Sequence, residues 1–199
     1  MVAVKQTPYV TRQEYLERER RAETKSEYHD GVIVAMAGAN RQHDRIVVSL
    51  ISNLNNQLQN AACEPRSSDT RVYVPACNRY FYPDVSVVCS EVEYEDMEED
   101  TLLNPRVIFE VLSDSTERMD RRLKADCYRT LPSLTTYVLV SQDEPRMEIL
   151  TPQPNDAWRM DVVKGLNAVL DLPVIGCQLR LADVYARVHF TPDATSETD

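Results

Sequence analysis

The chain reads as an α/β protein with a mixed central β-sheet, and three observations predict it. The order of patterns is helix, several strands, helix, strand. Ile46, Val47, Leu50, Ile51, Leu54 and Leu58 recur at helical spacing, so one face of a long helix is core. The stretch Arg106–Leu112 is an apolar run of strand length, with Glu110 set inside it.

Each element has its own signal. Thr11, with Glu14 three residues on, opens a helix that runs to about Ala22. Asp30-Gly31 marks a hairpin turn, Val32–Met36 is the returning strand, and Gly38 breaks it. Asn40 caps the long helix, about Arg41 to Asn60. Thr70–Pro75 alternates like a strand, and Cys77-Asn78-Arg79 is a turn. Tyr80–Cys89 is a further strand, interrupted by Pro83, which suits a strand start, an edge or a bulge. The acidic stretch Glu91–Asp100 is expected as a solvated loop. After the Arg106–Leu112 strand, Ser113 or Ser115 is expected to cap a helix over Glu117–Thr130 that Pro132 ends. Leu134–Ser141 pairs with Met147–Thr151 as a hairpin across Gln142–Arg146. Small strands follow at Trp158–Val163 and Ala168–Leu170 around Gly165, with a last turn of helix in Leu179–Tyr185. Residues 1–190 are expected to form one domain, and 191–199 a disordered acidic tail.

The totals bound the function. A chain of 199 residues with 43% hydrophobic and 27% charged residues is an ordinary globular protein with a sizeable core. No apolar run approaches the roughly 20 residues of a membrane helix, and MVAVKQTPYV has no signal-peptide core, so no membrane partner is expected. The five cysteines are odd in number, far apart and without a CxxC pair. Neither a disulfide framework nor structural zinc is expected, and a reducing cytoplasm is the default location. The net charge of −10 weighs against nucleic acid as a partner. However, seven acids lie in Glu91–Asp100 and three in Thr191–Asp199; without them the chain is neutral and can carry a basic patch. Arg118, Arg121, Arg122 and Lys124 form one candidate, and Arg18, Arg20 and Arg21 another; solvated helix faces explain either equally well.

Three residues carry the chemistry. An ionised carboxylate inside an apolar strand costs several kcal/mol unless it is paired, which singles out Glu110. Asp84 follows Pro83 and precedes the apolar run Val85–Cys89. Lys124 shares a helix face with Asp120 and Tyr128 at spacings of four. If Asp84 and Glu110 point the same way on neighbouring strands they repel, unless a cation sits between them. Mg²⁺ fits one or two carboxylates plus water, and it polarises phosphoryl oxygens. A nearby lysine orients or activates water, or stabilises phosphorane charge. The bland alternatives stay open: Asp84 as a turn residue, and Lys124 with Asp120 as a surface ion pair.

Pro83-Asp84, then VIFEVLSDST, then Asp120, Lys124 and Tyr128 at spacings of four, then TTYVLV, resemble the Uma2 family of the PD-(D/E)xK nuclease superfamily, from about Thr11 to Leu181. The resemblance implies a restriction-endonuclease-like core, a mixed sheet flanked by helices. It also implies a DNA endonuclease using Mg²⁺, or Mn²⁺ in its place, without an organic cofactor. Asp84 and Glu110 would hold the metal, with Glu27 and the Val111 carbonyl as further ligands, and Lys124 would position the water. Leu112 stands where the superfamily usually has its lysine, so Lys124 on the following helix is its replacement. His43 matches a family histidine, although a helix-terminal polar residue explains it as well. Tyr82 and Arg71 lie near Asp84 in sequence. Cutting both strands takes two sites, so a homodimer is expected. The alternative is a catalytically inactive nuclease-fold module that binds protein or nucleic acid.

Overall fold

The computed structural model describes residues 8–36 and 38–190; the expected acidic tail lies outside the described residues. The first helix, α1 (Arg12–Glu19), starts on the expected capping box. The Thr11 side chain accepts from the Glu14 amide, and the Glu14 carboxylate accepts from the Thr11 amide at 2.8 Å. Next come β1 (Ser26–His29) and β2 (Val32–Ala35), joined through Asp30 and Gly31, both at positive φ (45° and 96°), as a primed hairpin turn needs. The long helix α2 (Arg41–Leu58) is capped by Asn40, whose Oδ1 accepts from the Gln42 and His43 amides at 2.9 Å.

The chain then lays down β3 (Cys63–Ser67), β4 (Arg71–Val74), β5 (Arg79–Phe81), β6 (Val85–Cys89), β7 (Thr101–Leu102) and β8 (Val107–Val111). A helical segment, α3, follows: an α turn at Glu117–Met119, a π-helical stretch at Asp120–Lys124 and an α turn at Ala125–Tyr128. The last elements are β9 (Thr136–Val140), β10 (Arg146–Pro152), β11 (Trp158–Lys164), β12 (Val169–Leu172), β13 (Cys177–Arg180) and α4 (Leu181–Val184).

The strands form a mixed six-stranded sheet in the order β11-β10-β9-β8-β6-β3, with β8 and β9 parallel. A five-stranded sheet in the order β2-β1-β5-β4-β7 and a β12-β13 ribbon accompany it. One face of the large sheet is closed by Ile46, Leu50 and Leu54 of α2, together with Leu170, Leu179 and Leu181. The other packs on Ala125 and Tyr128 of α3 and on Val72 and Phe81 of the smaller sheet. Alternation along β8 sends Val107, Phe109 and Val111 to the α2 side. Ile108 goes to the α3 side, and Glu110 goes with it.

Several expectations need correction. Tyr80–Cys89 is not one strand: β5 and β6 belong to different sheets, and Pro83-Asp84 is where the chain crosses between them. Neither Ser113 nor Ser115 caps α3 through its side chain. The segment starts at Thr116, and the Ser113 carbonyl accepts from the Thr116 and Glu117 amides at 3.0 and 2.8 Å. The acidic stretch is not simply solvated. Arg20 bonds Asp96 at 2.7 Å and Asp100 at 2.8 Å, Arg71 meets Asp100 at 2.5 Å, and Arg12 pairs with Glu95.

The largest correction concerns the cysteines. Cys63–Cys89 and Cys77–Cys127 are disulfide-bonded, and Cys177 is free and buried. Separation along the chain concealed both pairs. The antiparallel register of β3 on β6 places Cys63 opposite Cys89, and packing of α3 on the smaller sheet brings Cys127 to Cys77. The argument for a reducing compartment falls with them. Among the described residues no helix is long and apolar enough to cross a membrane.

Candidate active site

The site begins with Glu110, which β8 turns toward α3. Lys124 lies directly over it, its Nζ 3.1 Å from Glu110 Oε1. The same ammonium is 3.2 Å from Glu27 Oε1 and 3.3 Å from Asp120 Oδ1. Tyr128, one turn on, donates its hydroxyl to Glu110 Oε1 at 3.2 Å. Helical spacing explains why Asp120, Lys124 and Tyr128 arrive together. The π-helical stretch is where Asp120 and Lys124 sit, a deformation often found at functional sites. Tyr137 of β9 supports that stretch by donating to the Asp120 carbonyl at 3.0 Å.

Two more carboxylates come from other elements. Glu27 reaches in from β1, its other oxygen 3.0 Å from His29 Nε2. Asp84 follows from register: Val85 of β6 is opposite Phe109 of β8, so the residue before it falls beside Glu110. Its Oδ2 accepts from the Val111 amide at 2.7 Å and meets His43 Nε2, in the first turn of α2, at 3.1 Å. Thus the Val111 N–H, not its carbonyl, contacts Asp84. Arg71 lies off the cleft; it bonds the Tyr82 hydroxyl at 3.0 Å and turns to Asp100. Glu27, Asp84, Glu110, Val111, Lys124 and His43 all line one cleft of about 760 Å³, as does Tyr82.

Burial and crowding set the electrostatics. Burial pushes the Glu110 carboxyl well above the ordinary carboxylate range; Asp120, Asp84 and Glu27 add to this, and Lys124 only partly offsets it. Burial also raises Asp120, with Asp84 adding. Burial alone would strip Lys124 of its proton, yet the surrounding carboxylates hold it well above its usual value, so it is an ammonium at neutral pH. Burial works against ionised Glu27, but Lys124 and His29 bring it below its ordinary value. Asp84 likewise keeps His43 protonated to higher pH than usual, against burial.

Four carboxyl groups therefore crowd one buried ammonium, and Asp120 Oδ1, 3.3 Å from Lys124 Nζ, is buried without a well-aligned hydrogen bond. An oxygen-rich site with surplus negative charge fits a hard divalent cation. Among the described residues no group of three His, Cys, Asp or Glu side chains is placed to hold an ion. An ion here would be held by the Asp84–Glu110 pair, with water completing its shell.

A family model described as "Uma2: Putative restriction endonuclease" matches residues 12–182. The chain belongs to the Uma2 family. Two Synechocystis sp. relatives are similar along nearly their whole length, and both are described as uncharacterized. The protein sll1609 is 34% identical over 86% of this chain and 97% of its own. The protein slr1290 is 32% identical over 92% of this chain and 95% of its own. The fold is that of the crystal structure titled a putative nuclease belonging to DUF820 from Anabaena variabilis, at a TM-score of 0.72 and 19% identity. The match covers 89% of this chain and 98% of that one.

Within this Uma2 chain, sequence reasoning brought Asp84, Glu110, Lys124 and Glu27 to one place. Asp120 escaped it as a member of the site, although its spacing from Lys124 was a usable signal. His29, paired with Glu27, carried no signal beyond proximity.

Proposed function

We propose that this Uma2 protein is a metal-dependent endonuclease that hydrolyses DNA phosphodiester bonds. The observation that carries the reading is Lys124 buried against Glu110, Glu27 and Asp120, with Asp84 beside Glu110, at the floor of one cleft. Asp84 and Glu110 are the metal-holding pair, and Glu27 and the Val111 carbonyl are further candidates. Mg²⁺, or Mn²⁺ in its place, supplies a Lewis acid for a phosphoryl oxygen and a more acidic water when bound.

The chain's own groups do the rest. Water bonds to phosphorus, the bond to the leaving sugar oxygen breaks, and that oxygen takes up a proton. Lys124, held as an ammonium, is not the base; it orients the water and stabilises the charge developing on the phosphorane. Proton acceptance falls to the surrounding carboxylates. The His43–Asp84 contact and the Val111 amide fix the Asp84 carboxylate. A homodimer with one such cleft in each copy belongs to the same proposal. A second reading, a nuclease-fold module without catalysis, is favoured by two observations: Lys124 is fully engaged by carboxylates, and among the described residues no three-donor group is placed to hold an ion.

Calorimetric titration separates the two. Mg²⁺ or Mn²⁺ binding by the wild type that disappears in Glu110→Ala supports the enzyme. Folded wild-type protein that binds neither ion at millimolar concentration contradicts it.

A further inference from the structure

Taking the nuclease reading as given, we infer that the cleft acts on an unpaired nucleotide, in single-stranded or flapped DNA, rather than on an intact duplex. The reacting groups are recessed. Glu110, Lys124, Asp120 and Glu27 are 3%, 5%, 2% and 5% exposed, so the scissile phosphate has to enter the cleft to reach them. A cleft of about 760 Å³ is the size of a small-molecule site. It takes a nucleotide or so of extended strand and not a stacked double helix.

Charge points the same way. Proteins that grip duplex DNA do so by aligning Lys and Arg with its phosphates. Here, among the described residues, six carboxylates line the cleft, the four at the floor plus Asp44 and Asp114, against two lysines. Lys124 is spent on the floor, and Lys25 at the rim is occupied by Asp69 and the Ser68 carbonyl. Among the described residues no arginine lines the cleft.

What the cleft offers instead is an apolar wall. Val34 and Met36 come from β2 and the residues after it, Ala39 and Val47 from around α2, and Met119 from α3. These side chains are partly or fully solvent-exposed, all facing the cleft that holds the carboxylates and Lys124. Such a wall has nothing to offer a phosphate but suits the flat apolar face of a nucleobase. A base can reach it only if it has left the stack. Extrusion from a duplex costs a few kcal/mol, and an already unpaired strand avoids that cost.

The test compares initial cleavage rates, with Mn²⁺, on three oligonucleotides of one sequence: single-stranded, flapped and fully paired. Fluorescence anisotropy of the same labelled strands reads binding separately. The expected result is at least tenfold faster cleavage of the single strand or flap. In Val34→Ser/Met36→Ser, KM for the single strand should rise severalfold and anisotropy should show weaker binding. Duplex cleaved as fast as the unpaired strands overturns the inference and leaves the nuclease reading standing. No cleavage of any of the three, by protein shown to bind the metal, overturns the nuclease reading itself. An unchanged KM in the wall variant overturns the role of the apolar wall.

Discussion

Lys124 is the residue on which the site balances. Its ammonium is within 3.3 Å of three carboxylates that are themselves buried. Removing it takes away the cation proposed to orient water and also leaves those acids without their shared counter-charge. Lys124→Ala is expected to slow DNA cleavage by about 100-fold or more. It should also lower unfolding stability at neutral pH by roughly 3 kcal/mol, the cost of breaking a buried ion pair. Urea unfolding and initial rates read the two effects; a stable variant with full activity would exclude this lysine from the site. The key pair was legible in the sequence because an acid inside an apolar strand demands a partner, and Lys124 lies on the helix that strand feeds. The contacts of Glu27 with His29 and of His43 with Asp84 were not legible. His43 and Asp84 come from different elements far apart in the chain, and although Glu27 and His29 share one face of β1, that spacing alone does not tell a contact from two solvated neighbours.

At the scale of elements, α3 is the part that must hold still. It is braced from two sides. Arg121 reaches Glu148 of β10, a carboxylate only 4% exposed that Arg146 also meets at 2.9 Å. Cys127 ties the same segment to Cys77 beside the smaller sheet. The Cys77–Cys127 bond closes about 50 residues, so its reduction should cost roughly 3–5 kcal/mol of stability. Thiol counting on the unfolded, unreduced protein is expected to find one free cysteine, Cys177; five would show that neither bond forms. Helix and strand positions were readable from apolar spacing and capping residues. The split of Tyr80–Cys89 between two sheets was not, because Pro83 signals a break without saying where the chain goes next. The π-helical stretch was likewise hidden, since its side-chain spacing resembles that of an α-helix.

Across the whole molecule, part of the surplus of acid is structural. Glu95, Asp96 and Asp100 hold the acidic segment against Arg12, Arg20 and Arg71, so the arginine cluster that looked available for nucleic acid is partly spent inside the protein. Burial would raise the Asp100 carboxyl, but bonds from Arg20 and Arg71 hold it well below the usual carboxylate range. A depressed folded value means the stabilisation is complete above the unfolded value of about 4 and is lost as pH falls below it. The melting temperature should therefore drop more steeply from pH 4 to pH 2 in the wild type than in Asp100→Asn; parallel curves would contradict the assignment. The sequence exposed the acidic run but not its partners, because α1 and the segment are some 80 residues apart.

Asp84, Glu110 and Lys124 are proposed to make a metal-dependent phosphodiesterase site. The most direct measurement is a nuclease assay of purified wild type and Lys124→Ala on single-stranded, flapped and fully paired DNA, with and without Mg²⁺. Cleavage of the unpaired strands by the wild type should require the metal and be lost in Lys124→Ala. Equal cleavage by the two proteins, or cleavage indifferent to the metal, would contradict it.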